Sequence, residues 1–118
     1  MPNKDSANLL AILDAVEKIL QYIQGITSAA EYYRNPMIFD ATLMNFVVVG
    51  EMVDRLSTEL KQRHPDVDWQ RMKDFRTLVA HDYLGVDAEE VWQIIHTDLP
   101  ELRPGLQAIV RESLNHDM

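Results

Sequence analysis

The sequence predicts an all-α fold: an antiparallel four-helix bundle with an additional short helix. Three observations carry that prediction. Apolar residues recur at three-to-four spacing through most of the chain, the breaks between those runs hold capping residues, and no segment alternates like a half-buried strand. At 118 residues the chain reads as one domain, 1–118, long enough to bury a core without covalent staples. It shows neither low-complexity segments nor an internal repeat.

The first helix is predicted over residues 6–33. Leu9, Leu13, Val16, Leu20 and Ile23 form its apolar stripe, and Ile12, Ile19 and Ile26 widen it. Asp5 or Ser6 can cap its start, and the pattern continues past Gly25. Asn35 and Pro36 then have the chemistry of an N-cap and a first turn, opening a second helix over 36–63. Phe39, Leu43, Phe46, Val49, Val53, Leu56 and Leu60 are its candidate core residues. Val47, Val48 and Val49 make it apolar around much of its circumference. It is either central to the bundle or buries a second face against another subunit.

"RHPDVD" breaks the chain, Asp68 can cap a third helix over 69–83, and Gly85 can close it. Asp87 and Glu90 have the spacing of a capping box for a fourth helix. "TDLPELRPGLQAIVRESL" reads as a fifth, with Pro100 near its first turn and Pro104 delaying or kinking its start.

Composition narrows the chemistry. With no cysteine the chain has neither disulfides nor thiolate metal ligands, which fits an intracellular, cytoplasmic protein. "NFVVVGEMV" is interrupted by Glu51 and reads as too short to cross a bilayer, so no membrane association is expected. The net charge of −8 opposes broad attraction to nucleic acid. That charge is uneven: residues 1–60 carry −4, residues 84–118 carry −5, and residues 61–83 carry +1.

That one non-acidic segment ends in "DFRTLVAHDYLGVD". Four glycines are scattered singly, so there is no phosphate loop, and no histidine has zinc or di-iron spacing. No metal or cofactor is predicted, and metal-independent chemistry remains. Arginine and histidine suffice to cleave RNA, which supplies its own 2′-hydroxyl nucleophile. Histidine can move the proton, while arginine holds the phosphate and its developing charge. Arg76 and His81 are displaced by about 140° and roughly 7.5 Å on a straight helix, whereas Arg76 and Tyr83 share a face. A compact site therefore needs a bent helix end near Gly85 or a second copy of the helix. The plainer reading is a histidine at a helix C-terminus and an arginine paired with Asp74 or Glu51.

Arg76-x4-His81-x-Tyr83 resembles the signature of HEPN-domain ribonucleases, specifically the HepT-like toxins. The likeness extends through "VVGEMVDRLSTELKQRHPDVDWQRMKDFR" and "LVAHDYLGVDAEEVWQIIHTDLPEL". It is close over residues 46–103, while 1–45 match only as a compatible helix and loop. The resemblance implies a HEPN-like helical bundle acting as the toxin of a type VII toxin-antitoxin system. It further implies an endoribonuclease with Arg76 and His81 catalytic in a cleft between the subunits of a homodimer. The implied antitoxin is a minimal nucleotidyltransferase, with Tyr83 the residue it modifies with AMP. That modification would set phosphodiester charge and bulk beside a phosphate site. Thr77 stands where the family usually has asparagine, which would weaken or retune activity. Glu51 is a candidate to orient Arg76. The competing reading is a non-catalytic helical module that binds a nucleotide or a nucleotidyltransferase.

Overall fold

A left-handed glycine divides what the periodicity joins. In the computed structural model, which describes residues 4–80 and 87–117, helix α1 spans Lys4–Tyr22 and buries Leu9, Ile12, Ala15, Val16 and Ile19. Gly25 then takes φ 88°, a region where a side chain is strained. The first helix therefore ends well before residue 33, against expectation. The chain restarts as α2, Ala29–Tyr33, capped by Ser28, whose Oγ accepts the Glu31 N–H at 3.1 Å. Glu31 in turn accepts from the Thr27 N–H at 3.2 Å and the Thr27 hydroxyl at 2.9 Å. Ser28 and Glu31 have capping-box spacing, a signal that the hydrophobic stripe overrode.

Helix α3 spans Pro36–Asp54, with Asn35 accepting the Ile38 N–H at 3.2 Å and Pro36 in the first turn, as the sequence predicts. It stops nine residues short of the predicted end. Ser57 caps a separate α4, Thr58–Arg63, by accepting the Leu60 N–H at 3.1 Å. Asp5 holds that break: the Ser57 N–H donates to its Oδ1 at 2.9 Å and the Ser57 hydroxyl to its Oδ2 at 2.6 Å. Asp5, expected as a possible cap of the first helix, lies inside α1 and ties it to the α3–α4 corner.

Asp68 accepts the Arg71 N–H at 3.0 Å and starts α5, Trp69–Ala80. The last helix, α6, runs unbroken from Ala88 to Asp117, so the expected fourth and fifth helices are one. Pro100 and Pro104 lie inside it and are exposed. Each removes one N–H donor on the solvent side, where water can serve the freed carbonyl. Val91, Ile95, Leu99, Leu102, Leu106 and Ile109 meanwhile keep a continuous buried stripe. Thirty residues at 1.5 Å give about 45 Å, matching the 44 Å long dimension of the molecule.

The four long helices form the bundle. Helix α3 packs between α1 and α5, α1 packs on α6, and α2 lies against both α6 and α3. Its central position explains the composition of α3. Among the described residues it is the one helix whose length and composition alone would match a membrane span. The apolar stretch that reads as too short is thus part of a longer one, but Leu43, Phe46, Val49 and Val53 turn it into the bundle core. Met37 and Met44 remain 83% and 63% exposed on its outer side.

Candidate active site

Met72 and Phe75 face the core from α5, and the Phe75 ring meets Phe46 of α3 edge-on at 5.1 Å between centroids. Arg76 follows Phe75 by about 100° and so emerges at the rim between α5 and α3. What lets it sit so close to α3 is Gly50. A methyl group there would lie 2.4 Å from the Arg76 Cβ and 3.0 Å from both the Arg76 nitrogen and the Lys73 carbonyl. No real side chain fits in that space, so the two helices touch backbone to backbone beside the arginine.

The close approach brings two carboxylates of α3 to one guanidinium. Arg76 Nε lies 3.2 Å from Glu51 Oε1, and Nη1 lies 3.7 Å from Asp54 Oδ2. Lys73 Nζ is 3.2 Å from the other oxygen of Asp54. The hydrogen bond and charge of Lys73 hold the Asp54 carboxyl below its usual range, with Arg76 and Lys61 adding to the effect. Guanidinium has five N–H donors in a planar fork. Glu51 takes the Nε side and Asp54 approaches Nη1, so donors at the fork's end are left for a phosphate. The arginine remains 45% exposed and within reach of a ligand.

Of the predicted site residues, the structure brings Arg76 and Glu51 together. The alternative partner Asp74 is occupied elsewhere, accepting from the Gln70 amide at 2.8 Å. Thr77 is exposed on α5 at the position after the arginine. His81 and Tyr83 lie outside the described residues. Gly50, Asp54 and Lys73 were not singled out from the sequence as parts of a site. Their signals exist, since Gly50 and Asp54 are i, i+4 and Lys73 and Arg76 are i, i+3, but helix-to-helix register is not written in either spacing. Two other histidines have local roles. The His96 ring meets that of Trp92 at a tilt, 4.1 Å between centroids, and its Nδ1 meets the Trp92 carbonyl at 2.8 Å, while the His64 carbonyl accepts the Trp69 indole N–H at 3.0 Å. Among the described residues no three His, Cys, Asp or Glu side chains gather to hold a metal.

The model of the family described as "Ribonuclease HepT-like" matches residues 12–109, a span that takes in the whole R-x4-H-x-Y motif. This chain belongs to the HepT-like ribonucleases. Its relatives agree. A protein of Caldanaerobacter subterraneus subsp. tengcongensis named "Putative RNase" is 27% identical, over 86% of this chain and 89% of its own. A Methanocaldococcus jannaschii protein of the same description is 26% identical over 99% and 97%. A "Probable ribonuclease HepT" of Thermococcus cleftensis is 29% identical over 78% and 83%. No solved structure matches the chain. In this HepT-like ribonuclease, the arginine of the motif is therefore an exposed cation held at a fixed height on the bundle by Gly50 and Glu51.

Proposed function

We propose that this HepT-like ribonuclease is a metal-independent endoribonuclease acting as the toxin of a toxin-antitoxin pair, with Arg76 and His81 as its catalytic residues. The observation that carries the proposal is the anchored Arg76, whose fork end is open to a phosphate. In the reaction the 2′-oxygen of one ribose bonds to the adjacent phosphorus as the bond to the 5′-oxygen breaks. His81 accepts the 2′-hydroxyl proton or protonates the leaving 5′-oxygen. Arg76 binds the non-bridging oxygens as charge builds on them. The products are a 2′,3′-cyclic phosphate and a free 5′-hydroxyl.

Because Arg76 and His81 do not share a face of one straight helix, a homodimer that pairs two copies of α5 is part of the proposal. Met37, Met44 and Val48 supply the surface for it. Their seven- and four-residue steps fall on one side of α3 and continue to Glu51, beside Arg76. The partner antitoxin is a minimal nucleotidyltransferase that attaches AMP to the Tyr83 hydroxyl, releasing pyrophosphate from ATP. The modified tyrosine carries negative charge and bulk to the phosphate site and shuts it. The pair operates in the cytoplasm.

The deciding assay is RNA cleavage in EDTA with purified wild type, Arg76→Ala and His81→Ala. Wild type is expected to cut, leaving cyclic-phosphate ends, and both variants to be inactive while folded. Cleavage retained in both variants would sink the assignment. An intact RNA in all three would favour the non-catalytic binding module. Unchanged mass at Tyr83, after incubation with an active cognate nucleotidyltransferase and ATP, would remove the regulatory half of the proposal.

A further inference from the structure

Asp54 is placed oddly for an ordinary surface acid. Lys73 reaches one of its oxygens at 3.2 Å and Arg76 approaches the other at 3.7 Å. Lys61 of α4 lies near enough to act on its charge. Two cations thus converge on one carboxylate, with the charge of Lys61 adding to theirs, in a chain whose net charge is −8. They come from residues 61–83, the one segment of the sequence that is not acidic. A point where cations converge in an acidic protein is an anion position, and here it is filled by the protein itself.

We propose that Lys73 and Lys61 form a second phosphate position next to Arg76, for the RNA phosphate flanking the one that is cut, and that Asp54 occupies it until RNA arrives. The inference rests on Arg76 binding the cleaved phosphate. Lys73 and Arg76 stand one turn apart on the same face of α5, about 5 Å along the axis, so two adjacent phosphates of one strand can be served by one helix face. The side chains of Asp54, Lys73 and Arg76 are 40%, 50% and 45% exposed, which leaves the exchange open to solvent. An ion pair so exposed is weak, and its replacement by a phosphate costs little. Glu51 plays the opposite part. It holds Arg76 by Nε at 3.2 Å, whereas Asp54 only approaches Nη1 at 3.7 Å and has its shorter contact with Lys73.

The test is the affinity of a short single-stranded RNA across a salt series, measured by fluorescence anisotropy in a His81→Ala background so that nothing is cut. Lys73→Ala and Lys61→Ala should each weaken binding and reduce the slope of log affinity against log salt by about 0.7. Asp54→Asn should bind about twofold to fivefold tighter. Asp74→Asn removes the same charge from α5 outside this cluster and should change affinity far less. In the cleaving protein, Lys73→Ala should raise KM with kcat kept, and Asp54→Asn should lower KM. Equal gains from Asp54→Asn and Asp74→Asn would reduce the effect to net charge and overturn the proposal. So would an unchanged salt slope in both lysine variants. If wild type fails to cut RNA while the slopes shift as stated, the catalytic assignment falls and the phosphate position stands.

Discussion

Replacing Gly50 by alanine adds one methyl group at the point where α3 and α5 touch. The new Cβ would sit 2.4 Å from the Arg76 Cβ and 3.0 Å from two backbone atoms of α5. Carbon atoms prefer about 3.5–4.0 Å, so the helices must part by roughly 1 Å. Two of the three obstructing atoms belong to backbone, and a rotamer change cannot clear them. Overpacking of this kind costs about 1–3 kcal/mol, offset by about 1 kcal/mol from the better helix propensity of alanine. The net is a loss of about 1 kcal/mol and a fall of roughly 4 °C in melting temperature. Activity should suffer more than stability, because a 1 Å misplacement of a positioned group can cost about a hundredfold in rate. Gly105→Ala is the control, since that glycine lies within α6 and a methyl there meets nothing within 4 Å. It should stabilise by up to about 1 kcal/mol and leave cleavage untouched. Thermal melting and RNA cleavage well below the melting point give both readouts. A Gly50→Ala protein as stable and as active as Gly105→Ala would refute the argument that this contact positions Arg76.

Glu51→Gln keeps the shape of the Arg76 partner without its charge. It should lower kcat about tenfold if anchoring of a catalytic group is lost, while stability changes by under about 1 kcal/mol because the pair is exposed; an unchanged kcat would count against the anchor. Tyr32 is fully buried, and burial raises its hydroxyl from 10.0 to about 12 despite the hydrogen bond with Thr42. Above pH 10 the unfolded chain releases a proton that the folded one keeps, so stability should fall by about 2–3 kcal/mol as pH rises towards 12. Tyr32→Phe should cost about 1 kcal/mol at neutral pH and flatten that alkaline limb in denaturant melts; an equal limb in both proteins would refute the assignment. Ser57→Ala removes the cap of α4 and the hydroxyl bond to Asp5 while the backbone N–H bond to Asp5 stays, and chemical denaturation should register a loss of about 1–2 kcal/mol. A loss under about 0.3 kcal/mol would show that the α3–α4 corner does not depend on it.

The helical class and the caps at Asn35 and Asp68 were legible because each depends on a few neighbouring residues. So was the motif around Arg76, which needs only the order of side chains. The helix boundaries were less legible where local signals conflict. At Gly25 the apolar stripe outweighed the turn, and at Ser57 the break depends on Asp5, 52 residues away. The two prolines of α6 argued locally for the start of a new helix, yet the buried stripe on the opposite side carries one helix through. The contact that governs Arg76 could not be read at all. Gly50 and Arg76 are 26 residues apart, and whether their helices meet at those two positions is settled by the packing of α3 on α5, the Phe46–Phe75 contact included. Sequence alone determined the family and the order of the side chains in its motif. Only packing decided which carboxylates share the arginine, because register between helices is a property of the whole core and not of any one segment.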